Sequence, residues 1–148
     1  MYYSEWLCKI YAMQQYLQQC MEPICKEYHL NGTEMTVLLF LHQNPKQNTT
    51  SDIAKYSSMT RGNITSAVER LTRRDLLIRV RDEQDRRIVH LCLSPTAECM
   101  IPDLFSASEQ FLHGIFDGFT PEDIQAFLEY NTRVANNAEQ QLQQKNNT

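Results

Sequence analysis

The chain has 148 residues, a length that suits one domain with a core of its own. Its hydrophobic fraction of 42% is globular, and four glycines and five prolines favour helices over a sandwich or barrel. The net charge of −4 conceals an uneven distribution: nine of the fourteen Lys and Arg fall between Lys55 and Arg87 with five acids, a local +4 against −8 elsewhere. No apolar run nears the roughly 18 residues of a membrane span. The N-terminus has no basic region followed by an apolar core, so no signal peptide is expected. Five cysteines, Cys8, Cys20, Cys25, Cys92 and Cys99, are an odd number without framework spacing. A reducing cytoplasm with free thiols is the expected compartment.

Residues 4–28 predict a first helix, with Ser4 as its cap and Trp6, Leu7, Ile10, Met13, Leu17, Cys20, Met21 and Ile24 at helical spacing. Pro23 is expected to kink or break it. Asn31-Gly32 signals a turn, Thr33 reads as the next cap, and Glu34–His42 as a second helix that buries Met35, Leu38, Leu39 and Leu41. A polar loop follows over residues 44–49. Thr49 and Asp52 approximate a capping box that opens a short third helix, and Tyr56–Met59 reads as a turn.

Thr60 caps a fourth helix, Thr60–Arg74, with an apolar stripe of Ile64, Ala67, Val68 and Leu71. Leu77–Arg81 and Arg87–Leu93 alternate with strand period around a charged turn, Asp82–Asp85. Helix, strand, turn and strand within residues 60–93 is the plan of a winged helix-turn-helix. Beyond it, Thr96–Phe119 carries a wide stripe rich in Phe, with Pro102 expected to bend or restart the helix. Thr120-Pro121-Glu122-Asp123 is a strong start for a last helix, and residues 136–148, rich in Asn and Gln, read as a frayed tail. The fold expected is mainly α with a small antiparallel β-hairpin wing.

The stretch TTSDIA (residues 49–54), then VERLTRRDLLIRVRDEQDRR (68–87), then IVHLCLSPTA (88–97) resemble the MarR family of bacterial winged-helix regulators. The D-x-R of Asp85-Arg86-Arg87, seven residues before Ser94, is that family's wing signature. The motifs cover about residues 31–100, and the flanking helices match by layout. Two positions depart from the pattern: Asp75 stands where the family usually has Gly, and the family also usually has Gly near Ala97. The resemblance implies a single domain over residues 1–148. Residues 31–95 would be its winged core, and residues 1–30 and 96–148 a helical dimerisation region. It also implies a homodimer on a palindromic operator in double-stranded DNA. A small-molecule effector or thiol oxidation at the junction of the two regions would shift the reading heads.

A helix fits the major groove and its first turns reach base edges. Thr60, Arg61, Asn63, Thr65 and Ser66 occupy that position, and Arg70, Arg73 and Arg74 are placed for phosphates. At the wing, Arg87 resembles the family arginine that enters a narrow minor groove, Asp85 on the same face would hold it extended, and Arg86 would contact the backbone. Cys8 is a candidate redox sensor by a faint likeness to a peroxide-sensing branch; the other reading takes all five cysteines as small buried hydrophobes. No tight metal-ligand spacing, cofactor motif or catalytic set is present, so neither a metal, a cofactor nor an enzyme is expected. The expectation is a DNA-binding transcriptional regulator, a repressor before an activator. Its rival is a winged-helix module that binds protein and not DNA.

Overall fold

The computed structural model describes residues 2–57 and 59–146. Among the described residues six helices and one hairpin follow in the order α1 (Tyr3–Glu27), α2 (Gly32–Gln43), α3 (Thr50–Ser57), α4 (Arg61–Arg73), β1 (Leu77–Arg81), β2 (Val89–Leu93), α5 (Pro95–Ile115) and α6 (Pro121–Asn146). The chain divides into two compact units, Met1–Phe111 and Leu112–Thr148, with the boundary inside α5. Among the described residues no helix is long and apolar enough to cross a membrane.

Short polar side chains set most of the helix starts. At α2 the cap is Asn31 and not Thr33. Asn31 Oδ1 accepts the Glu34 N–H at 2.9 Å and Glu34 Oε2 accepts the Asn31 N–H at 2.8 Å, so two orphan donors are satisfied reciprocally. Thr49 and Asp52 make the expected box at α3 (3.0 and 3.1 Å). Thr120 and Asp123 repeat it at α6 (3.1 and 3.2 Å). Thr60 Oγ1 accepts the Asn63 N–H at 3.3 Å, and α4 begins as expected. Ser4, by contrast, lies inside α1, whose preceding residue Tyr2 makes no side-chain cap bond.

Two helix ends share one device. After α4, Asp75 takes φ +55°, and the N–H groups of Asp75 and Leu76 return to the carbonyls of Thr72 and Leu71 (3.1 and 3.0 Å). This is a left-handed cap that favours Gly and tolerates Asp. The departure from glycine at Asp75 therefore leaves the turn intact. After α1, His29 at φ +52° does the same, with Leu30 N–H returning to Cys25 O at 2.8 Å.

The core of the first unit draws Val37 and Leu38 from α2, Ile53 from α3, Ile64 and Leu71 from α4, and Leu104 from α5, all fully buried. Burying side chains of this size contributes about 1.5–3 kcal/mol each. The expected α4 stripe is buried in full. Leu39 is only half-buried, and Val37 takes the place foreseen for it. Strands β1 and β2 pair antiparallel with Leu77 opposite Leu93, Arg79 opposite Leu91 and Arg81 opposite Val89. Leu77 and Leu91 are buried on that face; Ile78 and Val80 point out on the other.

Five places differ from the sequence reading. Pro23 and Pro102 interrupt neither α1 nor α5 as assigned, because a proline deletes one ladder bond while the rest of the helix keeps its own. Helix α3 runs through Ser57 in place of the turn expected at Tyr56–Met59, of which Ser58 lies outside the described residues. Strand β2 starts at Val89, since Ile88 N–H is drawn to Asp85 O (2.9 Å) and residues 82–88 form one longer wing turn. Helix α6 extends to Asn146 through the polar segment read as a frayed tail, of which residues 147–148 lie outside the described residues.

Candidate nucleic-acid interface

The buried stripe on α4 fixes what its other side presents. Arg61, Gly62, Asn63, Thr65 and Ser66 are all exposed at its first turns, with Thr60 at the cap. No atom lies within 4 Å of where a Cβ would stand on Gly62, so packing within the chain does not require the bare backbone there. The amino-terminal half of α4 is thus a polar, short-chained surface open to an outside partner. Its hydroxyl, amide and guanidinium groups match the donors and acceptors of base edges.

At the wing, Arg87 Nε and one terminal nitrogen each donate to Asp85, to Oδ1 and Oδ2, both at 3.0 Å. The Arg87 backbone N–H adds a third bond to Oδ1 at 3.0 Å. The Arg87 side chain is 91% exposed. Packing does not hold it; its orientation comes from the fork-to-fork pair with the carboxylate. The same pair holds the Asp85 carboxyl below its ordinary range, with the Arg87 side chain as the largest cause and its backbone N–H next. The arrangement leaves a cation standing off the protein at a fixed angle. Arg86 is exposed beside it.

Between α3, α4 and the hairpin lies an open cleft of about 570 Å³. Thr49, Thr50 and Ser51 line it from the start of α3, Thr65 and Glu69 from α4, and Arg79 and Arg87 from the hairpin. The cleft lies between the helix surface and the wing, with an apolar floor of Val68, Ile88, Val89 and Leu91 among the hydroxyls, Glu69 and the two arginines. Arg79 belongs to this face although its part was not foreseen. Strand alternation was the available signal, since it puts Arg79 opposite Leu91 on the side that meets α4.

Two of the arginines read as phosphate contacts are engaged within the chain. Arg70 Nε donates to Glu34 Oε1 at 2.6 Å, and the Glu34 side chain is only 5% exposed. Arg74 donates to the carbonyls of Tyr28 and His29, both at 2.7 Å, and so ties the end of α4 to the end of α1. Arg73 between them is exposed. Arg70→Ala is expected to destabilise the fold by about 1–3 kcal/mol, because a buried carboxylate loses its cation. A urea titration of the variant measures this. A midpoint equal to the wild type's would show that Glu34 does not need the Arg70 cation.

The cysteines do not behave as one class. Cys20 is buried and Cys25 half-buried, where desolvation pushes its thiol up. Cys8, Cys92 and Cys99 are exposed. The reading of all five as buried hydrophobes fails for these three, which sit on outward faces of α1, β2 and α5.

The MarR family matches residues 29–88 of the chain. Among curated proteins, the uncharacterized HTH-type transcriptional regulator YsmB of Bacillus subtilis (strain 168) is 33% identical over 63 residues, 43% of this chain and 43% of that protein. The match therefore spans less than half of that relative's length. Among solved structures, the S. aureus MepR–DNA complex superimposes with a TM-score of 0.76 at 19% identity, over 93% of this chain and 96% of that one. Bordetella bronchiseptica BpsR, described with a mechanism for regulation of its DNA binding by 6-hydroxynicotinic acid, gives 0.73 at 21% identity over 90% and 93%. These likenesses show a shared fold. The helix–wing core, residues 29–88, thus matches the MarR family model, and the mainly helical architecture closed by one antiparallel hairpin, with the D-x-R wing pair in place, has the MarR winged-helix fold.

Proposed function

We propose that the chain is a homodimeric, sequence-specific regulator that binds a palindromic operator in double-stranded DNA. It acts as a repressor in the cytoplasm, and a small molecule or thiol oxidation adjusts its affinity. The observation that carries this reading is the pairing of two exposed elements on one face. A polar helix start (Arg61, Asn63, Thr65, Ser66) is suited to base edges, and an arginine held rigidly by Asp85 stands at the wing tip. A protein-binding module has no need of a desolvation-free, outward cation oriented by a carboxylate. Double-stranded DNA uses both elements, one in each groove.

The single-domain reading of residues 1–148 assigns residues 31–95 to DNA and residues 1–30 and 96–148 to dimerisation. It is supported by apolar side chains left exposed in the outer helices. On α1 these are Trp6, Tyr11, Met13 and Leu17; on α6 they are Leu128, Tyr130, Val134 and Leu142. Regulation by a small molecule is supported by the description of BpsR. Cys8 is exposed and remains the thiol through which oxidation would act.

An electrophoretic shift tests the reading against its rival. A duplex from beside the gene should shift at a protein concentration at least tenfold below that needed for a random duplex of equal length, the low end of usual specificity ratios being about 1,000-fold. Equal shifts, or none, favour the protein-binding module.

A further inference from the structure

The wing arginine stands at the end of a run of hydrogen bonds that starts outside the wing. Asn48, in the loop before α3, faces β2 twice. Its backbone carbonyl accepts the Leu91 N–H at 2.8 Å, and its side-chain oxygen lies 2.6 Å from His90 Nδ1. The other ring nitrogen, Nε2, lies 3.0 Å from Asp82 Oδ2. Asp82 Oδ1 then accepts the N–H groups of Gln84 and Asp85, both at 2.8 Å. Asp85 holds Arg87 with the three bonds described above. The path thus runs Asn48, His90, Asp82, Asp85, Arg87, from the start of the helix-turn-helix to the tip of the wing.

Each member has a defined role in the run. The Asp85 N–H, then His90, then the Gln84 N–H bring the Asp82 carboxyl down to about 2, so at neutral pH it is ionised and can only accept. His90 Nε2 therefore carries the proton of that bond. Asn48 suits either form of the ring, because its amide offers an oxygen to an Nδ1–H and an N–H to a bare Nδ1. The His90 side chain is one-third exposed, while Arg87 at the far end is almost fully so.

Alternatives to polar bracing are weak at this place. A two-stranded hairpin alone is marginal in water. The apolar residue in the wing turn, Ile88, is 40% exposed. Apolar burial therefore does little to set the angle of residues 82–88. Asp85 orients Arg87, the Asp82 carboxylate orients Asp85, and His90 orients that carboxylate by bridging it to a loop that caps α3.

We propose that His90 is a positioning residue for the wing arginine: by bridging Asn48 and Asp82 it fixes the turn that presents Arg87 to DNA. The proposal rests on the DNA-binding reading and adds to it a residue that touches no nucleotide. It also assigns Asn48 and Asp82 to the same task.

The test uses the full-length chain as wild type, His90→Leu, His90→Gln, Arg87→Ala and the double variant His90→Leu/Arg87→Ala. The probe is the duplex best retained by the wild type from a random library. Two quantities are read: affinity for that duplex, and the Arg87 Nε–H resonance of the free protein. His90→Leu should weaken binding about fivefold, the scale of one positioning hydrogen bond. The double variant should bind no more weakly than Arg87→Ala alone, since His90 acts through Arg87. The Arg87 Nε–H signal should shift or broaden in His90→Leu and return toward its wild-type position in His90→Gln, whose amide still donates to Asp82. Losses that multiply in the double variant, or an Arg87 signal unmoved in His90→Leu, overturn the proposal. If His90→Leu does not fold, Asn48→Ala removes the other end of the bridge and is read in the same way. If the wild type retains no duplex, the DNA reading fails by itself, while the Arg87 resonance still decides whether His90 orients that side chain.

Discussion

A chain shortened by residues 121–148 should be monomeric at micromolar concentration and should bind its operator about 100- to 10,000-fold more weakly than the full chain. The expectation starts from the sequence of α6, where apolar residues recur at helical spacing among Gln, Asn and Glu. Phe116 meets Phe127 edge-on, with ring centroids 5.5 Å apart, so the start of α6 is packed within its own unit. Further along, Tyr130, Val134 and Leu142 are each more than half exposed. Isolated apolar residues on a surface need no explanation, but a stripe repeating along one helix does. In the proposed homodimer a second copy would cover such a stripe with its own equivalent, as a two-fold interface requires. Two half-sites then bind as one event. Without the dimer each half-site is bound separately, and the gain from effective concentration disappears. Light scattering on the full and shortened chains reads the mass, and a mobility shift reads the affinity. A full-length monomer would contradict the assignment of the outer helices to dimerisation.

Affinity for operator should fall steeply with salt, by about 1,000- to 100,000-fold between 50 and 200 mM if six to ten phosphates are contacted. The acidic protein as a whole repels DNA, so the attraction has to come from the cationic stretch between Lys55 and Arg87. Arg70 and Arg74 also bond within the chain, to Glu34 and to backbone carbonyls, which leaves fewer of their N–H donors for phosphates. Arg61, Arg73, Arg79, Arg81, Arg86 and Arg87 remain exposed on the helix and hairpin. Six cations per protomer in a dimer are enough for a slope of this size. A titration of Kd against salt gives log K against log salt at about −0.9 per contacted phosphate. Arg73→Ala and Arg79→Ala should each make that slope shallower by about one contact per protomer, while leaving base preference unchanged. A slope near zero would remove the electrostatic basis of DNA binding.

The order of elements was legible because hydrophobic period changes from helical to alternating between Leu71 and Leu77, and because Thr60, Thr49 and Thr120 announce helix starts with short side chains. Finer assignments depended on contacts distant in sequence. Asn31 and Thr33 are both acceptable caps by residue type, and only the return bond from Glu34 selects Asn31. Arg70 and Arg73 look alike on a helical wheel. One meets the carboxylate of α2 and the other faces solvent, a difference set by tertiary packing. Prolines 23 and 102, read as kinks or breaks, end neither helix, because local rules omit the neighbouring turns that keep a helix going. Likewise, the polar end of α6 looked like a tail because nothing in its composition reveals a helix sustained to Asn146. At the wing, the Asp85–Arg87 pair was readable from two residues on one face. The Asn48–His90–Asp82 bridge was not, since it joins residues 42 positions apart.

Selection of duplexes from a random library tests the central claim most directly, with the wild type, Arg87→Ala, Arg61→Ala and Asn63→Ala run in parallel. The wild type should enrich a palindrome whose half-sites are centred about 10 base pairs apart, one helical turn. Arg87→Ala should weaken binding about 10- to 100-fold, as loss of a charge-assisted contact does, and enrich the same major-groove sequence. Arg61→Ala and Asn63→Ala should each cost about 1–3 kcal/mol and relax preference at one position in each half-site. Contradiction would come from a wild type that enriches no sequence, or from Arg87→Ala changing the consensus while both α4 variants leave it intact.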